Sequence, residues 1–140
     1  MKNVLGCLSM AALAILLAAP VSAQTVMLRA SVPFDFIVGG RTMPAGDYTI
    51  SADGGSKLLL IRNASGDIAP AVDTSNIGSS RQEGKTLLMF RHYGADYFLA
   101  EVWDGSTAAG RAIPVSHAEQ EKAKSSSIGK PDVVMVLARR

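Results

Sequence analysis

The stretch Lys85–Asp104, KTLLMFRHYGADYFLAEVWD, decides the fold. It holds the only Trp of the chain, two of its four Phe and two of its three Tyr. Lys85–Arg91 and Tyr97–Trp103 are rich in apolar and aromatic residues, a composition that suits a pleated surface. Between them lies His92-Tyr93-Gly94-Ala95-Asp96. A two-residue Gly94-Ala95 turn puts glycine first, as a type II′ turn requires. That register sets Arg91 opposite Phe98, Phe90 opposite Leu99 and Leu88 opposite Glu101. One face of the hairpin then carries Leu88, Phe90, His92, Tyr97, Leu99, Glu101 and Trp103. The other carries Leu87, Met89, Arg91, Phe98, Ala100 and Val102. Both faces are mainly apolar, which predicts a hairpin in the middle of a sheet, covered on both sides. A longer turn would slip the register and exchange the faces of one strand.

Period-two patterning continues on the N-terminal side of this hairpin. Thr25–Val32 reads as a strand with Val26, Leu28 and Ala30 inward. Val32, Phe34, Phe36 and Val38 alternate with Pro33, Asp35 and Ile37, and Pro33 suits an edge or a bulge. Gly39-Gly40 ends that strand, and 41–46 (RTMPAG) reads as a turn preset by Pro44. Asp47–Ser51 turns Tyr48 and Ile50 inward. Asp53-Gly54-Gly55 is a hairpin signal, and Lys57–Arg62, apolar between charged ends, predicts a fully buried strand. Ile68–Asn76 is a further, weaker strand, and 77–84 is a polar loop.

On the C-terminal side, 105–110 (GSTAAG) is a loop and Arg111–Pro114 is extended. Ser116 and Glu119 have capping-box spacing, which predicts a short helix from His117 to about Lys124. It has no wide apolar stripe and so belongs on the surface. After the polar run 125–131, Asp132–Ala138 (DVVMVLA) is a β-branched closing strand. Seven or eight short strands with frequent turn signals and one small helix predict an all-β antiparallel sandwich or small barrel. An outer-membrane barrel is disfavoured, because its strands need roughly 9–11 residues to cross the bilayer.

Residues 1–23 have the three parts of a secretory signal: Lys2, an apolar run over 4–19, and Val21-Ser22-Ala23 as a small-x-small cleavage site. The expectation is cleavage after Ala23, leaving 24–140 as a single domain with no membrane span. Cys7, the only cysteine, is lost with the signal, so no disulfide is expected. With 14 Lys and Arg against 12 Asp and Glu, the net charge of +2 gives no support for nucleic-acid binding.

The segments VPFDFIVG (32–39), MPAGDYTI (43–50), FRHYG (90–94), YFLAEVW (97–103) and Gly110-Arg111 together carry a resemblance. The chain resembles a group of small secreted β-rich proteins of acidobacteria and related soil bacteria. These share a VPFxFxVG…LPAGxYxI opening, an RYGxxYFLxExW centre and a following GRxLPxS segment. Met43 stands where the group has Leu, and 113–116 (IPVS) matches the last element loosely. The resemblance covers most of 24–140. It implies an exported β-rich domain and assigns no catalytic residue.

His92 and His117 are the only histidines and have no metal-ligand spacing. No serine sits in a Gly-x-Ser-x-Gly elbow and no phosphate loop is present. No cofactor and no metal are expected. Arg91, His92, Tyr93, Tyr97, Glu101, Trp103 and Arg111 are the candidate polar and aromatic cluster. Glu101 on a covered face must be paired, and the plain reading is a structural ion pair with Arg62, Arg91 or Arg111. The expected function is that of an exported, non-enzymatic binding or structural protein of the cell envelope or extracellular space, with a protein or glycan partner. The alternative is a small-ligand or carbohydrate-binding module using Tyr93, Tyr97 and Trp103. A hydrolase built on His92 and Glu101 ranks below both.

Overall fold

The computed structural model describes residues 25–53, 55–78, 84–107, 109–126 and 130–140. The expected signal segment with Cys7 lies outside the described residues, as do 79–83 of the expected polar loop and 127–129 of the run before the last strand. The described residues form, in order, β1 (Thr25–Val32), β2 (Phe36–Val38), β3 (Arg41–Met43), β4 (Gly46–Asp53), β5 (Leu58–Asn63), β6 (Val72–Asp73), β7 (Ser75–Gly78), β8 (Leu87–Tyr93), β9 (Asp96–Trp103), β10 (Ala109–Ala112), α1 (His117–Ser125) and β11 (Asp132–Arg139).

The strands make one curled, mixed sheet in the order β3-β2-β9-β8-β11-β1-β4-β5-β6, with β10 pairing both β9 and β7. After β6 pairs with β5, only Thr74 intervenes before β7 pairs with β10. The segment 72–78 therefore reaches from the β5 edge to the strand beside β9. Inward residues of β1, β2, β4, β5, β8 and β9 meet inside the curl, with Leu28, Phe36, Ile50, Leu59, Ile61 and Phe90 all fully buried there. Alternation along β1 and β4 places these residues as expected: the two strands pair from Thr25↔Asp53 to Val32↔Gly46.

The structure corrects the sequence reading in five places. Gly39 and Gly40, with φ of +59° and +76°, form a two-residue hairpin of the kind that needs positive φ at both positions. Residues 41–43 are accordingly a strand paired with β2, not a turn. In β5 only Leu59 and Ile61 are buried, while Leu58 is 51% exposed and Leu60 38%. One face of β5 is thus solvated, because no layer covers the sheet there. β2 runs parallel to β9 through Ile37↔Phe98, so the sheet is not purely antiparallel. The count of strands exceeds seven or eight because β2, β3, β6, β7 and β10 are fragments of two to four residues.

The fifth correction concerns the central hairpin. Tyr93↔Asp96 closes the Gly94-Ala95 turn, and Arg91↔Phe98 and Phe90↔Leu99 pair as expected. The register then shifts, so that Met89 faces Glu101, Leu88 faces Val102 and Leu87 faces Trp103. Ala100 is the extra residue of a β-bulge, and a bulge re-aims every side chain beyond it. Val102 joins Leu88 and Phe90 in the inner core, while Glu101 and Trp103 move to the outer face.

α1 begins as the capping box predicts: Ser116 Oγ accepts from the Glu119 backbone N–H at 3.2 Å. Among the described residues no helix is long and apolar enough to cross a membrane.

Candidate functional site

The outer face of the hairpin carries the most strongly bonded polar group. Glu119, 2% exposed, is the one buried residue of α1. Its carboxylate takes a two-pronged contact from Arg91: Nε donates to Oε1 and Nη2 donates to Oε2 at 3.0 Å. The Tyr93 hydroxyl donates to Oε1 at 3.2 Å, and Arg91 Nη2 also reaches the Ile113 carbonyl. Burial first, then the adjacent Glu119 carboxylate, push the Tyr93 phenol above its ordinary value, with Arg91 acting in the opposite direction. Arg91 and Tyr93, two residues apart on β8, point the same way and converge on one carboxylate.

The inner face at the same end of the hairpin holds an aromatic stack. His92 lies on Tyr97 with ring centroids 4.1 Å apart, and Tyr97 lies on Phe34 at 3.9 Å. Phe34 then meets Phe90 edge to face at 5.1 Å. The bulge separates His92 from Glu101, which sit on opposite faces of the sheet.

Beyond the bulge, Glu101 Oε2 accepts from the Trp103 indole N–H at 2.7 Å. Of the ion pairs expected for Glu101, with Arg62, Arg91 or Arg111, the one with Arg91 is not made, because the Arg91 guanidinium is committed to Glu119. Trp103 is 3% exposed, and it lies over β10 only because residue 110 is glycine: a Cβ there would stand 2.6 Å from Trp103 Cδ2. Arg111 Nη1 donates to the Ser56 carbonyl at 2.6 Å and contacts Thr74 Oγ1 at 3.4 Å. The seven candidate residues thus divide into separate groups. Arg91 and Tyr93 gather on Glu119, His92 and Tyr97 stack, Glu101 holds Trp103, and Arg111 ties β10 to the β4–β5 connection and to Thr74.

An apolar concavity lies elsewhere, inside the curl. Val26, Leu28, Ile50, Ala52, Leu59 and Val102 wall a cavity of about 270 Å³. Asn76, Asp104, Thr107 and Arg111 are the polar residues at its margin. Its volume sits just below the range of about 300–1,000 Å³ usual for small-molecule sites. Of the sequence candidates only Arg111 borders it. Sequence reasoning missed the cavity, although Ala52 at an inward position among larger apolar residues was the available signal. It also missed Glu119, because the capping-box reading had already given that residue a role. Among the described residues, no group of three or more His, Cys, Asp or Glu side chains is placed to hold a metal ion.

Comparison with protein-family models, with curated proteins and with solved structures returned no match.

Proposed function

We propose that the chain is an exported, non-enzymatic binding protein whose ligand site is the apolar cavity within the curled sheet. The observation that carries this reading is the cavity itself: apolar walls with a few polar groups at the margin, the common form of a small-molecule site. A largely apolar ligand suits the walls, and the margin of Asn76, Asp104, Thr107 and Arg111 suits a polar group held at the mouth. The reading of the fold as a small barrel goes with it. Segment 72–78 bridges β5 and β10, and closing a sheet into a barrel both removes its edges and creates an interior. Export rests on the three-part signal pattern of residues 1–23 and on the resemblance to small secreted β-rich proteins.

The carbohydrate-surface alternative is the weaker reading. Trp103 and Tyr93 are buried against protein groups, and Tyr97 is stacked on both faces, by His92 and by Phe34.

The test is titration with an uncharged environment-sensitive apolar dye, Nile red, on the wild type and on Ala52→Leu. Ala52 is 7% exposed and lines the cavity, so the added carbons enter empty space. The expected result is saturable binding to the wild type and its loss in a variant that stays folded by circular dichroism. Unchanged dye binding by folded Ala52→Leu would refute the assignment.

A further inference from the structure

The outer face of β11, β1, β4 and β5 carries a feature that the cavity reading does not use. The registers place Arg139 directly opposite Arg29, Arg29 opposite Thr49, and Thr49 opposite Arg62. Three arginines thus stand in one row across four neighbouring strands, spaced by about 4.8 Å per strand. All three are exposed. None makes an ion pair with a carboxylate among the described residues. Like charges directly opposite on a sheet are destabilising, and Arg29 and Arg139 are such a pair. They border an open depression of about 560 Å³ that Leu137 also lines. Asp47 lies at this depression too, and its carboxylate accepts a hydrogen bond from the Ser31 hydroxyl.

Apolar side chains flank the row on both sides. Two residues before Arg29 and Arg62 are Met27, 48% exposed, and Leu60, both neighbours of Ser51. Two residues before Arg139 is Leu137, 78% exposed, which continues a line through Met135 and Val133 on the outer face of β11. A soluble anion accounts for the arginines but not for this apolar border. An apolar partner accounts for the border but not for three unpaired guanidiniums. An anionic lipid surface accounts for both, with phosphates on the arginines and the aliphatic side chains in the headgroup–acyl boundary.

We propose that this face docks the protein on a bilayer containing anionic phospholipid. The proposal concerns a surface separate from the cavity and stands independently of the ligand assigned there. The experiment is co-sedimentation of the purified protein with vesicles of phosphatidylcholine alone and with vesicles containing about one-third phosphatidylglycerol, whose charge the arginines would meet. The expected result is binding to the second only, weakening steeply between about 0.05 and about 0.5 M salt as the charges are screened. Replacement of Arg29, Arg62 or Arg139 by Gln should weaken binding about five-fold each, and the triple variant roughly a hundred-fold. Leu137→Ser should weaken it several-fold without changing the salt dependence. Circular dichroism establishes that each variant is folded.

Absence of binding by the wild type at low salt overturns the proposal, as does undiminished binding by the folded triple variant or equal binding to neutral vesicles. Displacement by inorganic phosphate beyond that by sodium chloride of equal ionic strength assigns the row to a soluble anion and also overturns it. So does a wild-type dimer that dissociates in Leu137→Ser, which assigns the face to a second copy.

Discussion

Replacing Arg91 by Ala tests the structural account most directly. In the native protein the buried Glu119 carboxylate accepts from Arg91 Nε, Arg91 Nη2 and the Tyr93 hydroxyl. The substitution leaves it with the tyrosine alone, in a place that is 2% exposed. Removing one partner of a buried ion pair costs about 3–5 kcal/mol. The reverse truncation is milder. Arg91 is 19% exposed, and in Glu119→Ala its guanidinium turns to water and keeps the Ile113 carbonyl, so the cost is about 1–3 kcal/mol. Replacing both by Met removes both charges together but leaves the buried Tyr93 hydroxyl without its acceptor, so the variant should fall within about 1–3 kcal/mol of the wild type. At about 4 °C per kcal/mol for a domain of this size, Arg91→Ala lowers Tm by about 12–20 °C.

Urea and thermal unfolding followed by circular dichroism give the three values. Limited trypsin digestion adds a local one. Besides Glu119, α1 is tied down by the Lys122–Asp96 bridge at 3.0 Å, an exposed pair worth about 0–1 kcal/mol. Cleavage after Lys122 and Lys124 should therefore accelerate in Arg91→Ala under native conditions. If Arg91→Ala costs no more than Glu119→Ala, or if the double Met variant loses as much as the two Ala variants combined, the reasoning fails.

Alkaline pH reports on Tyr93. Its folded pKa is raised above the ordinary 10.0 by burial and by Glu119, so the folded state holds the phenolic proton more tightly than the unfolded state. Its contribution is complete below about pH 10 and is lost as pH rises through the elevated folded value. Unfolding free energies of wild type and Tyr93→Phe between about pH 9 and about pH 12 should show the steeper alkaline decline in the wild type. Gly110→Ala drives a methyl group into the Trp103 ring, 2.6 Å away. The expected cost is about 1–3 kcal/mol, with a red shift of tryptophan emission as the indole is displaced. On β5, Leu59→Ala should cost about 2–5 kcal/mol, whereas Leu60→Ser should stay within about 0.5 kcal/mol of the wild type. Equal urea midpoints for those two variants would restore the fully buried strand that the apolar run suggested.

Much of the β-rich architecture was legible because it depends on short-range rules. Alternation placed Leu28, Tyr48, Ile50, Phe36 and Phe90 inward. Gly94 and Ala95 fixed the hairpin turn, and the spacing of Ser116 and Glu119 marked the start of α1. Each of these depends on residues within a few positions of one another, and the sequence determines such features by itself. The bulge at Ala100 is different. Its neighbours Leu99 and Glu101 fit either register, and the choice between them is made by which of Glu101 and Val102 the inner core accepts. That choice reversed the face assigned to Glu101 and Trp103 and separated His92 from Glu101. The same limit applies to Glu119, whose partners lie 26 and 28 positions away, and to Leu58 and Leu60, whose exposure depends on whether any layer covers that side of the sheet. The cavity and the arginine row are likewise products of assembly. The cavity forms because β1, β4, β5 and β9 turn small and large apolar residues toward one interior. The row forms because Arg29, Arg62 and Arg139 reach the same level of the sheet through registers set by strands distant in sequence. Pattern alone assigns a side chain to a face of its own strand, and only the pairing of strands far apart in the chain decides which side chains become neighbours.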